Sequence, residues 1–268
     1  MNWIQRRVFC LCIFAMAVFA AAALVTTASA QDGNIRSVTF YTVKPDRVGD
    51  FQAEIKEYNA ILAKAGSDRY SSMWVGVAGT HEYARVQVYA KWADLDAPID
   101  SDPKLKDQAA DLARISMRII DCTESWHRII EMVMPELSLP ESGDPPKMIR
   151  VLLTQVRPDK YQEYLDLVKN VIFPAVKKGG TKDFSVAEGR VGESSLQVTS
   201  VTGFNSWADL DAGIGAQKGL SKEDYQALLD KVRTLITQSE YDVYRYEPDV
   251  SYLPPPAAKY SRARRAEG

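Results

Sequence analysis

Histidine and cysteine, which often act in catalysis and metal binding, are scarce in this 268-residue sequence. Histidine occurs only at His81 and His127, and Cys122 is the one cysteine beyond the first thirty residues. The sequence contains no His/Cys metal-ligand spacing, no phosphate-binding glycine loop and no nucleophile elbow. We therefore expect no metal site, and the candidate chemistry falls to arginine and tyrosine side chains.

The segment 83–90 carries the most distinctive arrangement of such side chains. Successive residues of a strand point to opposite faces, so one face holds the apolar set Ala84, Val86, Val88 and Ala90, and the other holds Tyr83, Arg85, Gln87 and Tyr89. The apolar set suits packing against helices. We therefore expect the polar and aromatic set to face the interior of the fold.

Arg85 is the central candidate of that set. A guanidinium in a half-buried aromatic setting can hold a carboxylate or an enolate through paired hydrogen bonds, and Tyr83 or Tyr89 is then a candidate proton donor. The alternative is an arginine satisfied by an acid of the protein, for instance Glu188 or Glu131.

A repeated hexapeptide indicates how these residues are positioned. WADLDA occurs at 92–97 and again at 207–212. Matches on both sides keep the same order: VKPDR at 43–47 with VRPDK at 156–160, and PELS at 135–138 with PDVS at 248–251. The chain is therefore a tandem duplication. Because both copies keep the hexapeptide, we interpret it as structural, with a tryptophan ending a strand and acids beginning a helical turn.

Each half is predicted to run β-α-β-β-α-β. In the first half we expect a strand at 35–43, a helix with Asp46 as its N-cap, a hairpin of 69–77 with 82–92, a second helix and a closing strand at 126–134. In the second half the hairpin is 183–191 with 195–207, Ser221 caps the second helix, and 241–247 closes the unit.

This order of elements resembles the dimeric α/β barrel superfamily. The resemblance rests on the KPD or RPD helix start followed by Phe51 or Tyr164, and on the tryptophan before ADLDA. The superfamily includes antibiotic-biosynthesis-type monooxygenases, NIPSNAP-like and stress-responsive barrel domains, and also lyases, isomerases and haem enzymes. It implies a fold, and it leaves the activity open.

The expected fold class is α+β: two tandem ferredoxin-like βαββαβ repeats that form an intramolecular, pseudo-dimeric α/β barrel. Two helices cover one face of each four-stranded sheet, so the bare face needs a partner, which the second copy supplies. Aligned on the repeated tryptophan, the second copy has Val198, Ser200, Thr202 and Phe204 at the positions of Tyr83, Arg85, Gln87 and Tyr89. The ligand-binding candidates are therefore Arg85, Gln87, Tyr89, Thr202 and Phe204, inside the barrel.

No cofactor is expected from the residues themselves. Some haem-using members of the superfamily need one well-placed histidine, and His127, which begins the closing strand of the first half, is the candidate for that alternative. A structural histidine is the competing interpretation.

The first thirty residues predict export. Arg6 and Arg7 precede an apolar run, and Ala28-Ser29-Ala30 has the small-x-small pattern of a cleavage site, so a periplasmic or secreted protein is expected after cleavage near Ala30. An uncleaved anchor and export by the twin-arginine route are alternatives. The domains are then 1–30 signal peptide, 31–138 first repeat, 139–147 linker, 148–253 second repeat and 254–268 a disordered basic tail.

The net charge of the full sequence is −2. It gives no electrostatic field that recruits nucleic acid or holds the mature chain on a membrane. The expected partner is a small organic ligand. Two function classes follow: an enzyme of cofactor-independent monooxygenase-like or isomerase/lyase-like type, or a non-catalytic exported binding or interaction module.

Overall fold

A computed structural model of the chain describes residues 34–77, 82–97, 99–140 and 144–255. The predicted signal peptide at 1–30, His81 and most of the predicted tail at 254–268 lie outside these residues. Within the described ranges, none of the helices has the length and apolar character needed to cross a membrane.

The first repeat has the predicted order of elements. Its strands and helices are β1 (Ile35–Val43), α1 (Val48–Ala65), β2 (Ser72–Gly76), β3 (Glu82–Tyr89), α2 (Ala93–Asp96), α3 (Ala109–Asp121) and β4 (Thr123–Val133). Short 3-10 turns occupy Pro45–Arg47, Ile99–Ser101, Lys106–Gln108 and Pro135–Leu137.

The second repeat follows the same order with an interrupted first helix. Its elements are β5 (Met148–Val156), α4 (Tyr161–Leu167), a π-helical turn (Val168–Ile172), α5 (Phe173–Lys178), β6 (Phe184–Val191), β7 (Gln197–Phe204), α6 (Ala208–Asp211), α7 (Ala216–Gly219), α8 (Lys222–Leu235) and β8 (Ile236–Tyr246). Further 3-10 turns lie at Pro158–Lys160 and Pro248–Val250.

The eight strands close into one barrel in the order β1-β3-β2-β8-β5-β7-β6-β4, and each neighbouring pair is antiparallel. The repeats meet at two seams, β2 with β8 and β4 with β6. The predicted α+β fold, a pseudo-dimeric barrel made within one chain, is therefore confirmed.

The apolar residues form an outer layer in each repeat and a smaller cluster inside the barrel. In the first repeat Phe51, Leu62 and Leu112 are fully buried between the sheet and its helices. The second repeat has an equivalent layer between its sheet and helices. A third cluster fills part of the barrel: Val38, Trp74, Ala84, Ile129 and Tyr244. Each fully buried side chain of this size contributes ~1.5–3 kcal/mol.

That third cluster corrects the prediction for β3. Ala84 and Val86 face the barrel interior, whereas Tyr83 packs on Phe51 of α1 with ring centroids 4.9 Å apart. The face of Tyr83, Arg85, Gln87 and Tyr89 is therefore the helix-covered face. The prediction was wrong because both faces of this sheet are buried, one under helices and one inside the barrel.

Helix starts and strand starts are partly as expected. Ser221 caps α8, since its hydroxyl accepts the amide of Asp224 at 3.0 Å. Asp46 is not an N-cap, because it lies within the 3-10 turn Pro45–Arg47. The closing strands begin at Thr123 and Ile236, earlier than predicted, because the preceding helices pass into them almost without a loop.

The repeated WADLDA forms a turn in both copies. Its acids lie in the first turns of α2 and α6. Asp209 accepts the backbone amides of Asn205 and Ser206 at 2.8 and 3.1 Å, and Asp94 accepts that of Lys91 at 3.2 Å. These bonds satisfy amides at the strand-to-helix junction and support the structural interpretation.

Candidate functional site

A cavity of about 320 Å³ lies between the sheet and the helices of the second repeat. This size is within the range of small-molecule sites. Most of its wall is apolar, and its polar atoms come from the helix-facing residues of β5, β7 and β8 and from one helix tyrosine on each side. Those polar residues are Arg150, Thr154, Ser200, Thr202, Ser239, Tyr241, Tyr164 and Tyr225, and Gln217 and Arg233 also lie in the lining.

The interrupted helix shapes one wall. The π turn contributes Val168 and Ile172 to the lining. Pro174 follows at the start of α5, and a proline has no amide to close the ordinary helical bond to the carbonyl four residues earlier. Such π turns occur frequently at functional sites. The opposite wall is the apolar face of α8, including Leu228 and Val232.

A glycine-containing loop forms the remaining side. Gly213 and Gly215 have φ of 78° and 60°, a region that side-chain-bearing residues rarely adopt. A Cβ at Gly215 would lie 3.7 Å from the Thr202 hydroxyl and 3.9 Å from Nη2 of Arg150. The loop backbone therefore lies directly over the polar part of the cavity.

Arg150 is the distinctive group of this cavity. Its guanidinium lies 5.3 Å from the centre of the Tyr241 ring. Its Nε is buried and has no hydrogen-bond partner among the described residues. A buried donor left unpaired costs ~1–3 kcal/mol. The guanidinium brings a positive charge to a cavity whose described lining residues include no acid. The other lining arginine, Arg233, is already paired with Asp230 at 2.6 Å.

The cavity tyrosines are held in their neutral form. Burial raises the pKa of Tyr164, and a hydrogen bond from Thr154 lowers this pKa to a smaller extent. Burial also raises the pKa of Tyr225, which Tyr241 raises further and Arg150 lowers. These hydroxyls are therefore proton donors rather than bases. The described residues that line the cavity include no Asp, Glu, His, Lys or Cys, so the site offers a positive charge and hydroxyl donors without a general base.

The first repeat carries a larger side chain at the position equivalent to Ser200. Strand pairing places Thr39 opposite Arg85 and Leu152 opposite Ser200, so Ser200 is the counterpart of Arg85. Arg85 lies 5.0 Å from the Tyr58 ring centre, and its Nε donates to Ser71 at 3.1 Å. At this position the first repeat therefore has a large arginine with protein partners, and the second repeat has a small serine.

The residues predicted from sequence are distributed accordingly. Tyr83, Arg85, Gln87 and Tyr89 lie on the helix side of the first repeat, not in the barrel; Tyr83 accepts a hydrogen bond from Gln52 at 2.8 Å. Thr202 lines the second-repeat cavity, and Phe204 packs beside it with Ile214.

The acids proposed as partners of Arg85 have other partners. Glu131 pairs with Arg36 at 2.7 Å. Glu188 accepts from Tyr161 at 2.7 Å and pairs with Arg190.

The histidine predicted as a haem ligand lies outside the cavity. His127 stacks on Phe40 with ring centroids 4.8 Å apart and lies on an exposed part of β4, away from the cavity lining. The described lining residues include no His, Cys or Met, which are common axial ligands of haem iron. The cavity therefore does not fit haem held through His127. Among the described residues, no group of three or more His, Cys, Asp and Glu is placed to bind a metal.

Comparison with known proteins places this fold. A Fusobacterium nucleatum protein assigned provisionally as a monooxygenase aligns over 80% of this chain and 93% of its own, with TM-score 0.60 and 12% identity. The chain has the dimeric α/β-barrel fold. A similarly assigned Lactobacillus acidophilus protein gives TM-score 0.56, 7% identity and coverage of 80% and 94%. An anthrone oxidase-like protein aligns with TM-score 0.51 and 16% identity, over 82% of this chain and 93% of its own. No family model and no curated protein match the sequence.

Sequence reasoning missed Arg150 as the main residue of this α/β-barrel chain. One signal was present: the strand MIRVLLTQV carries a single charge in an otherwise mainly apolar run. Its significance appears only once the strand register shows that Arg150 faces the helices.

Proposed function

We propose that the protein binds a small, mainly apolar organic anion in the second-repeat cavity and acts on it as a cofactor-independent, monooxygenase-like enzyme. The observation that carries the proposal is the positive charge of Arg150 in a largely apolar cavity whose described lining residues include no acid. The fold shared with proteins assigned provisionally as monooxygenases is consistent with it. The role first considered for Arg85 is thereby assigned to Arg150.

The chemistry follows from the groups present. Arg150 would hold a carboxylate, phenolate or enolate oxygen, and a preorganised charge in a dry site stabilises such an anion more than water does. Tyr225 or Tyr164 would donate a proton to a developing oxyanion. Because the described lining residues supply no base, the substrate is one that ionises readily by itself. An isomerase or lyase acting through an enolate would use the same groups.

Oxygen uptake tests the catalytic part of the proposal. Chelator-treated protein is mixed with a panel of hydroxyaromatic and 1,3-dicarbonyl compounds, and dissolved oxygen is followed with an electrode. At least one compound should be consumed by the wild type, and Arg150→Met should lose most of that rate. Uptake that is equal in the two proteins would contradict the assignment.

The second candidate is a non-catalytic binding module. The lack of a base among the described lining residues favours it, because binding an anion needs a charge and donors only. It predicts that ligands bind in the cavity without turnover by any compound of the panel.

We also propose that the chain is exported and cleaved near Ala30. The support is the sequence pattern of residues 1–30 alone. Amino-terminal sequencing of protein recovered outside the cytoplasm tests it: a start at Gln31 is expected, and a start at Met1 or Asn2 would contradict it.

A further inference from the structure

A second polar cluster lies inside the barrel, remote from the proposed ligand cavity. Arg36 of β1 donates from Nε to Oε2 of Glu131 on β4 at 2.7 Å, and from Nη1 to Ser185 of β6 at 3.1 Å. Glu131 is 1% exposed. Its Oε1 has no partner among the described residues.

Glu193 enters this cluster from the turn between β6 and β7. Two glycines let the turn fold back against the barrel. A Cβ at Gly189 would lie 2.8 Å from the carbonyl of Ser194 and 3.4 Å from Cβ of Glu193. Gly192 has φ of 83°, and a Cβ there would lie 2.6 Å from the carbonyl of Arg128. The close approach of the Glu193 side chain is thus specified by the local sequence.

The charges of this cluster do not balance. The charges of Arg36 on β1 and Glu131 on β4 both influence Glu193, and Gln197 on β7 is a neutral neighbour. On β5, Gln155 is neutral and donates to Ser194 at 3.0 Å. Arg36 forms its ion pair with Glu131, and its buried Nη2 has no partner among the described residues. One cation therefore faces two acids, and the cluster has one negative charge in excess when both acids are ionised.

One oxygen of Glu193 makes the imbalance sharper. Its Oε2 is buried and has no partner within the described part of the chain. Burial raises the pKa of Glu193, the charge of Glu131 raises it further, and Gln197 and Arg36 lower it. A proton would remove the charge and turn an orphan acceptor into a donor.

We propose that Glu193 is a proton-controlled plug of the barrel: as a neutral acid it stays inserted beside Glu131, and on ionisation the β6–β7 turn swings out. Two ionised carboxylates placed close together and partly buried repel each other. The inserted state of the turn is therefore stabilised at low pH, and this stabilisation is lost as the pH rises through the raised pKa of Glu193.

Amide hydrogen exchange of the turn tests this device. The amide of Val156 at the end of β5 donates to the carbonyl of Leu196 in the turn at 3.0 Å, so it reports whether the turn is in place. After correction for intrinsic exchange, the protection of this amide in the wild type should fall between pH 5 and pH 8, by about tenfold for each unit by which the pKa of Glu193 is raised.

Glu193→Gln imitates the protonated acid and should keep full protection at pH 8. Glu136→Gln, at an exposed position, is the control and should behave as the wild type. Equal loss of protection in wild type and Glu193→Gln would overturn the proposal. So would protection restored at pH 8 by sodium or potassium chloride but not by choline chloride, because the balancing group would then be a metal cation.

A measurement on the wild type covers the case in which the variant does not fold. Carbon-13 NMR of glutamate-labelled protein follows each carboxyl carbon with pH. A titration midpoint for Glu193 above the ordinary range is expected; one within or below it would overturn the proposal.

Discussion

Replacing Arg150 by Met should separate charge recognition from the shape of the cavity. The probe is 8-anilinonaphthalene-1-sulfonate, an apolar anion, and the matched neutral probe is N-phenyl-1-naphthylamine, which lacks the sulfonate. A hydrogen bond to a charged group contributes ~1.5–3 kcal/mol, so Arg150→Met should weaken sulfonate binding by about tenfold to 150-fold. Binding of the neutral probe should stay within about threefold, because the apolar walls are unchanged.

Stability provides the internal control. Arg150 has an unpaired buried Nε, so its removal relieves ~1–3 kcal/mol and offsets the lost contact with Tyr241. Arg85→Met instead loses the bond to Ser71 and the contact with Tyr58, together ~1–3 kcal/mol. The melting temperature should fall by ~2–4 °C per kcal/mol in Arg85→Met and change little in Arg150→Met.

Fluorescence titration and thermal unfolding of the two variants decide the matter. The reasoning is refuted if Arg85→Met loses sulfonate binding and Arg150→Met retains it, because the charged site would then lie in the first repeat. Equal loss of both probes in Arg150→Met would show that the substitution collapses the cavity.

Three further predictions follow from named contacts. Ser200→Arg introduces into the second repeat the arginine that the first repeat has at Arg85. It should abolish binding of both probes, whereas Ser200→Ala should not. Gly219→Ala places a Cβ 1.9 Å from the carbonyl of Ala175 and should lower the free energy of unfolding by ~1–3 kcal/mol or more. Gly49→Ala, with open space around the new Cβ, should raise the free energy of unfolding by ~0.5–1 kcal/mol. Urea denaturation measures both changes. Because the pKa of Tyr164 is raised in the folded state, stability is retained below the ordinary tyrosine pKa and lost as the pH rises above it, and Tyr164→Phe should reduce this alkaline loss.

The repeat and the order of elements could be predicted because they are local and periodic. The hexapeptide, the KPD and RPD helix starts and the alternation in β1 required no knowledge of tertiary contacts. Closure into a barrel followed from the bare sheet face of each repeat. Ser221 was correctly placed as a cap because that interaction spans only three residues.

The candidate site could not be predicted because, at β3 and β5, one face of the sheet lies under helices and the other faces the barrel interior. Alternation in β3 separated two sets correctly and could not say which one faced the helices. The same ambiguity hides Arg150. IRS at 35–37 and IRV at 149–151 look alike, yet strand pairing makes Ser37, opposite Gln87, the counterpart of Arg150, opposite Thr202. Arg36 therefore points into the barrel and Arg150 toward the helices.

A crystal structure of the protein with bound 8-anilinonaphthalene-1-sulfonate tests the central claim most directly. The account predicts one probe molecule between the sheet and α8. A sulfonate oxygen should lie within hydrogen-bond distance of the Arg150 guanidinium, and the probe's rings should lie against Val168 and Leu228. Probe density inside the barrel beside Arg36, or against Arg85 in the first repeat, with the second-repeat cavity unoccupied at saturating probe, would contradict it.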